Sequence, residues 1–183
     1  MSRERAILDA AEKLFHERSF DGTGVDAIAN EAGMSGSGVY RHFASKEEIL
    51  AGLAERATDA LLAGIPVPGA EPREELRLLI AAHVDFVIRH TRLADVWQRE
   101  HHILQTHGRS ELQIKQRRYI DRWVACLDAC YPGHGRAELL AVIRGLHALI
   151  TSDTTRRSES PPPADLGALL TDLAWSAARA LER

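Results

Sequence analysis

One stretch, Val25–Glu48 (VDAIANEAGMSGSGVYRHFASKEE), constrains the fold more than any other part of this chain. Its first part places apolar residues on one side of a short helix. Gly33 follows and predicts a tight turn, because glycine enters the left-handed backbone region without steric cost. Ser35 then caps a second, very short helix, and Ser45–Glu48 forms a capping box that opens another. Two short helices joined by a tight turn are the helix-turn-helix pattern.

The rest of the chain is also predicted to be helical, because apolar residues recur at spacings of three and four. No alternation typical of a β-strand persists. Thr23 is expected to cap the second helix, paired with Asp26. Proline and glycine predict breaks at 65–69 and 132–133, and the polar, proline-rich stretch 153–163 predicts an exposed loop. We therefore predict an all-α protein of about nine helices. Residues 1–46 form a helix-turn-helix domain and 47–183 a second helical domain, with helix 47–63 connecting the two.

Charge supports a nucleic-acid partner only locally. The whole chain has a net charge of -3, and residues 1–46 hold six Lys and Arg against seven Asp and Glu. Between Met34 and Lys46, however, Arg41 and Lys46 are the only charged residues, and His42 lies beside them. This segment is locally positive, as contact with a phosphate backbone requires.

The predicted third helix has the side chains that a DNA-reading helix needs. Small residues from Ser35 to Gly38 let its N-terminus approach the duplex closely, where free N–H groups can bind phosphate. Arg41 is the side chain able to make a bidentate contact with guanine in the major groove. Lys46 and Thr23 are expected to reach phosphates on either side, so that loss of Lys46 would weaken binding to all sequences alike. The predicted DNA-binding residues are Thr23, Gly24, Ser35, Gly36, Ser37, Tyr40, Arg41, His42 and Lys46.

This segment resembles the N-terminal domain of the TetR (tetracycline repressor) family. The resemblance rests on AGMS at 32–35, VYRHF at 39–43 and SKE at 45–47, and it extends over residues 3–55. Beyond them only helix number and spacing are similar. The resemblance implies phosphate contacts for Tyr40, His42 and Lys46. The chain departs from the family at Gly36, where lysine is common, and at Gly38, where Thr, Ser or Ala is common.

A DNA reader with two half-sites one helical turn apart needs a dimer to span them. The last two helices are predicted to form the interface, since a helix pair from each subunit makes a four-helix seam. The same apolar face could instead be the core of the monomer. The predicted interface residues are Leu139, Val142, Ile143, Leu146, Leu166, Leu169, Leu170, Leu173 and Ala177.

Aromatic and imidazole side chains in the fifth to eighth helices predict a pocket for a small effector, although aromatics at helical spacing are also common in plain cores. The candidate lining residues are Phe86, His90, Trp97, His101, Tyr119, Trp123 and His147. A basic run, Lys115–Arg118 with Arg122, would suit an anionic effector such as an acyl-CoA thioester, but it would equally suit a solvated helix face.

Other classes of protein are disfavoured. We find no nucleophile elbow, phosphate loop or catalytic carboxylate pair, so we expect no enzyme, no catalytic residue and no cofactor. Cys126, Cys130 and His134 lie four residues apart in turn, but Pro132 and Gly133 interrupt the helix, so we expect no metal site. The N-terminus lacks a signal-peptide pattern and no apolar run is long enough to span a membrane, which predicts a cytoplasmic protein.

The sequence thus predicts a transcriptional regulator that binds a palindromic operator as a homodimer. Its most favoured form is a repressor released by a small hydrophobic molecule, with an acyl-CoA or other lipid-like compound as one candidate. The alternative is a DNA-binding architectural protein that responds to no ligand.

Overall fold

The computed structural model describes residues 2–67, 69, 71–107, 110–154 and 162–182. Within these residues the chain forms nine α-helices and no strand, which confirms the predicted all-α fold. The helices are α1 (Arg3–Arg18), α2 (Val25–Glu31), α3 (Gly36–Tyr40), α4 (Lys46–Gly64), α5 (Pro72–Arg89), α6 (Thr91–His107), α7 (Ser110–Cys130), α8 (Arg136–Thr151) and α9 (Leu166–Ala178), followed by a 3₁₀ turn, Arg179–Glu182. Most of the loop predicted at 153–163 lies outside the described residues.

The helix-turn-helix forms as its sequence dictates. Gly33 has a φ of 66°, so the tight turn after α2 uses the left-handed conformation that glycine adopts freely. Ser35 Oγ accepts the Gly38 N–H at 3.2 Å and caps α3. Ser45 Oγ accepts the Glu48 N–H at 3.2 Å at the start of α4. The N-cap of α2 is Gly24 and not Thr23 as predicted, because the Thr23 side chain is buried and bonded elsewhere.

The described residues divide into two compact units. The first comprises residues 1–59 and 92–113, and its core contains Phe15, Ile28, Val39 and Phe43. Helix α6 thus belongs to the unit that carries the helix-turn-helix. The second comprises residues 60–91 and 114–183. In it, α5, α8 and α9 pack against one another. The functional boundary at residue 46 stays a prediction.

No described helix is both long and apolar enough to cross a lipid bilayer.

Candidate nucleic-acid interface

Helix α3 presents its polar side chains to solvent and its apolar ones to the core. Val39 and Phe43 are buried, whereas Tyr40, Arg41 and His42 between them are exposed, Tyr40 by 56%. Among the described residues, no carboxylate forms an ion pair with Arg41. The hydroxyl, the guanidinium and the imidazole are therefore all accessible to solvent at the end of α3 and in the turn that follows it.

The first turn of α3 is exposed as well. Ser35 and Ser37 are both exposed, and their hydroxyl oxygens lie 3.0 Å apart. A Cβ added at Gly36 would lie 2.8 Å from Asp26 Oδ1, the end of an exposed side chain on α2. A side chain at Gly36 would therefore require the exposed Asp26 carboxylate to move.

Gly38 is a site where a side chain can be added. It is buried in the first turn of α3, and an added Cβ would lie 3.4 Å from Ser35 Oγ and 3.7 Å from Met34 Cβ, both tolerable contacts. We expect Gly38→Ala to raise the free energy of unfolding by about 0.5–1 kcal/mol, because alanine restricts the unfolded chain at no steric cost here. Urea denaturation monitored by circular dichroism measures the change. An equal or lower midpoint would show that the first turn needs glycine.

The Thr23 side chain is buried and bonded within the chain. It is 1% exposed, and its hydroxyl is 2.8 Å from the carbonyl oxygen of Ser19 and 3.2 Å from that of Leu14. The hydroxyl therefore holds the end of α1 and is not directed outward. Its neighbour Gly24 is exposed, so the Gly24 peptide group is accessible to a phosphate.

Lys46 is also directed inward. Its Nζ donates to the carbonyl oxygens of Phe20 at 2.7 Å and Thr23 at 3.0 Å, and it lies 4.1 Å from the centroid of the Phe20 ring. The expected phosphate contact competes with these three interactions. No sequence pattern predicts these three interactions of Lys46, because two of the three partners are backbone carbonyl groups.

The candidate effector residues fall into separate places. In the second unit, Tyr119, Trp123 and His147 form a cluster with the buried His83, a residue that was not among the predicted effector residues. The His83 and His147 rings stack with centroids 4.3 Å apart, and Tyr119 Oη lies 2.5 Å from His83 Nδ1. Phe86 borders this cluster. His90 packs on Phe86 but is exposed.

Two nitrogens of this cluster have no well-formed hydrogen bond among the described residues. Trp123 Nε1 and His147 Nε2 are inaccessible to solvent, and the Trp123 N–H acts on the Tyr119 hydroxyl only enough to oppose in part the rise of its pKa. Burial raises the pKa of Tyr119 above its usual value, so its hydroxyl stays protonated. Buried polar groups are rarely left unsatisfied, so these two nitrogens are the least satisfied polar atoms of the cluster.

The imidazoles of this cluster make stability depend on pH. Burial lowers the pKa of His147 to about 4, and burial and the neighbouring His147 lower that of His83 well below its usual value. Because the unfolded chain binds these protons more tightly, their stabilising contribution is complete above pH 6.5 and is lost as pH falls. We expect His147 alone to remove about 2 kcal/mol between pH 7 and pH 5.

Urea denaturation at the two pH values tests this dependence. His147→Gln should reduce the difference, whereas His90→Gln, a change at an exposed imidazole, should keep it. Equal differences in wild type and His147→Gln would contradict the assignment.

Trp97 and His101 lie apart from this cluster, in the first unit. Their ring centroids are 6.0 Å apart, and both line a small apolar cleft between α4 and α6. Leu50, Leu53 and Leu104 complete its walls, with Ala54, Leu93 and Val96. The single predicted pocket therefore corresponds to residues in two distinct surroundings.

The dimer candidates divide by exposure. Leu139, Ile143, Leu146 and Leu170 are buried within the single chain, so they form its own core and not a free interface, as one of the two sequence interpretations allowed. Leu169 and Leu173 are 47% and 46% exposed, and Ala177 is exposed too. Val142 and Leu166 are half-buried. The stripe of α8 that the sequence suggested for a partner thus faces the monomer.

The surroundings of His134 and of the two cysteines differ. Within the described residues, no three metal-ligating side chains come together. His134 Nδ1 lies 3.1 Å from a Glu138 carboxylate oxygen and Nε2 lies 3.0 Å from the Leu181 carbonyl oxygen, so both nitrogens face acceptors. These bonds raise the His134 pKa. Burial raises the pKa of Cys126 to about 12 and also raises that of Cys130, which disfavours thiolate chemistry.

The basic run on α7 is only partly available to an anion. Arg122 forms an ion pair with Glu75, which is nearly buried, and Arg117 lies 4.0 Å from Asp121. Arg118 is exposed. The predicted arginine fork for an anionic effector is therefore committed in part to the protein's own carboxylates.

Comparison with known proteins identifies the family. Residues 7–53 match the model of "Bacterial regulatory proteins, tetR family". The repressor KstR2 of Mycobacterium tuberculosis is 31% identical over 131 residues, which are 69% of this chain and 66% of KstR2. The activator FasR of Mycolicibacterium smegmatis is 33% identical over 88 residues, 46% of this chain and 40% of FasR. The chain belongs to the TetR family of transcriptional regulators, with a DNA-binding helix-turn-helix, and its relatives are not enzymes.

Solved structures show the same fold over nearly the whole chain. KstR2 of Mycobacterium tuberculosis superimposes with a TM-score of 0.79 at 24% identity, covering 96% of this chain and 94% of KstR2. AibR, solved with isovaleryl coenzyme A and operator DNA, superimposes with a TM-score of 0.77 at 19% identity, covering 96% of this chain and 97% of AibR. The second domain therefore follows the family fold, although the sequence carried no motif for it.

Proposed function

We propose that this protein is a repressor that binds a two-half-site operator as a homodimer and leaves it when a small, largely apolar effector binds. The observation that carries the proposal is the exposure of Tyr40, Arg41 and His42 at the end of α3 and in the turn after it, while Val39 and Phe43 are buried. KstR2 is named a repressor and FasR an activator. We favour repression over activation, because blocking a promoter requires DNA binding alone.

For DNA recognition we assign base reading to Arg41 and phosphate contact to the residues around it. A guanidinium fork makes two parallel hydrogen bonds to one guanine. Tyr40, His42 and the hydroxyls of Ser35 and Ser37 suit phosphate oxygens, which position a protein without reading sequence. Thr23 contributes no side-chain contact in this assignment because its hydroxyl is buried.

For dimerisation we propose a corrected interface on the exposed sides of α8 and α9. On α9 it consists of Leu169, Leu173 and Ala177. On α8 it consists of the exposed small residues Ala141, Gly145 and Ala148. A Cβ added at Gly145 would meet nothing within 4 Å, so the monomer itself does not require glycine there. A glycine inside a helix costs stability, and close approach of another helix is one reason to keep it.

For the effector we propose the buried cluster of the second unit as the polar end of the site. Trp123 Nε1 and His147 Nε2 both lack an acceptor, and neutral His147 can present its Nε2 as a donor. A carbonyl or hydroxyl oxygen on an otherwise apolar molecule would satisfy them, as in many small-molecule sites. An acyl-CoA carries such a thioester carbonyl, and AibR was solved with one.

The test begins with DNA selection. A random duplex pool is enriched with the purified protein, and the enriched sequence, here called the selected duplex, is labelled for fluorescence anisotropy. We expect isovaleryl-CoA or palmitoyl-CoA to weaken binding at least about 10-fold, since allosteric coupling is commonly 5- to 150-fold. Free CoA is the control. Enrichment without any response to either thioester would favour the ligand-independent alternative and contradict the acyl-CoA assignment. No enrichment would contradict the proposed repressor function.

The effector site has its own variants. We expect His147→Ala to bind the selected duplex like wild type but to respond at least about 5-fold less to the effective thioester, because its donor is removed. Trp97→Phe changes an aromatic outside the cluster and should respond like wild type. A full response by His147→Ala would place the site elsewhere.

A further inference from the structure

The peptide groups of Phe20 are held by two helices that are far from it in sequence. Its N–H donates to Glu100 Oε1 of α6 at 3.1 Å, and its carbonyl oxygen accepts from Lys46 Nζ of α4 at 2.7 Å. Its ring is 5% exposed and lies beneath the Lys46 ammonium group. Phe20 is in the turn between α1 and α2, so both helices act on the point where the chain enters the helix-turn-helix.

A second set of contacts from α6 fixes the last turn of α1, just before the turn that contains Phe20. Arg99 Nη2 donates to the carbonyl oxygens of Phe15 and His16, each at 3.1 Å, at the C-terminal end of α1. A cation is stabilising there because it faces the negative end of the helix dipole. Asp95, 3% exposed, holds Arg99 at 2.6 Å and His16 at 2.6 Å. Helix α6 therefore binds the C-terminal end of α1 through partly buried polar contacts centred on the buried Asp95.

We propose that Glu100 and Lys46 are positioning residues for DNA binding, which set the placement of α2 and α3 through the Phe20 peptide groups. Lys46 Nζ also donates to the carbonyl oxygen of Thr23 at 3.0 Å, one residue before the N-cap of α2. Helix α2 in turn holds the turn before α3, where the Met34 N–H donates to the Ala29 carbonyl at 2.9 Å. A shift of either anchor thus moves the reading helix.

The chemistry of Glu100 supports a positioning role. It is 7% exposed, and burying a carboxylate is costly unless hydrogen bonds compensate it. A backbone N–H bonded to an ionised acceptor makes one of the stronger protein hydrogen bonds. Glu100 is also acidic, so as a mere charge it would oppose binding to a polyanion. Positioning and charge therefore predict opposite signs for its removal.

The sign of the Glu100 effect is the first test, made on the full chain with the selected duplex. We expect Glu100→Ala to weaken binding about 10-fold, because a buried hydrogen bond to a charged group is lost. Glu100→Gln keeps an acceptor oxygen and should stay within about 3-fold of wild type. Tighter or unchanged binding by Glu100→Ala would overturn the proposal.

The salt dependence of Lys46 variants is the second test. Lys46→Met should weaken binding to the selected duplex about 10-fold while the slope of log K against log salt stays unchanged. A lysine that contacts a phosphate would instead reduce this slope by about 0.9 on its loss. A reduced slope, with random-sequence duplex weakened equally, would return Lys46 to phosphate contact and overturn its positioning role.

A fold control separates positioning from general destabilisation. Arg56→Ala removes another polar link between α4 and α1, in which Arg56 Nη1 lies 2.7 Å from Asp9 and 3.3 Å from Glu12. It should leave affinity for the selected duplex unchanged. Hydrogen exchange of the turn containing Phe20 should accelerate in Glu100→Ala and Lys46→Met but not in Arg56→Ala. Equal effects of all three variants would mean that these contacts only stabilise the fold, and would contradict the proposal. Failure of the DNA selection would instead contradict the proposed function, and hydrogen exchange would still test the two contacts to Phe20.

Discussion

Replacing Leu169 and Leu173 together by aspartate is expected to turn the dimer into a monomer and to lower affinity for the selected duplex at least about 100-fold. Both leucines are nearly half exposed on α9, so the change introduces charge into the proposed interface and not into the monomer core. Once one subunit of a dimer is bound, binding of the other subunit to the second half-site is intramolecular. Loss of this avidity lowers the overall affinity by a factor of about 10² to 10⁴. Sedimentation velocity gives the oligomeric state, and anisotropy gives the affinity.

The matched control for the dimer prediction is Ile114→Asp. Ile114 is 57% exposed on α7, so the substitution places the same charge on a comparable exposed apolar residue outside the proposed interface. It should stay dimeric and bind like wild type. A dimeric Leu169→Asp/Leu173→Asp variant with full affinity would mean that another surface joins the subunits.

Arg41→Ala is expected to lower affinity for the selected duplex by about 10- to 100-fold and to change affinity for a random duplex far less. The physical reason is that one bidentate contact to guanine discriminates by about 1–3 kcal/mol. Arg41 is exposed at the C-cap of α3 and no described carboxylate pairs with it, so its guanidinium is available to the groove. Competition titrations with both duplexes measure the ratio of the two affinities.

Arg41→Lys distinguishes the guanidinium fork from its charge. Lysine keeps the charge but loses the planar fork, so we expect it to keep the salt dependence of wild type and to lose most of the preference for the selected duplex. Equal weakening on both duplexes by Arg41→Ala, together with wild-type behaviour of Arg41→Lys, would identify Arg41 as a phosphate contact.

The helices could be predicted from sequence because their signals are local. Gly33 needs a positive φ, Ser35 caps α3, and Glu71 with Pro72 opens α5. The roles of Thr23 and Lys46 could not be predicted in the same way. Both bind backbone carbonyl groups, which every residue carries, so the sequence contains no sign of these partners.

The sequence also could not predict which helices pack against one another. An apolar stripe on α8 shows that one face is buried but not what covers it, and Leu139 and Ile143 pack within their own subunit. Likewise, Trp97 and Trp123 both belong to helices of the predicted effector domain, yet Trp97 lines a cleft with α4 residues and Trp123 packs among imidazoles. His83 was missed because its helical register matched an apolar core position.

The most direct test of the account is the sequence enriched from the random duplex pool, combined with the stoichiometry of the complex. A dimer that reads DNA with α3 should enrich an inverted repeat with half-site centres about 34–36 Å apart, or a multiple of this spacing, and bind it as two chains per duplex. Scrambling one half-site should then remove most of the affinity. Enrichment of a single unrepeated site bound by one chain, or no enrichment at all, would contradict the account.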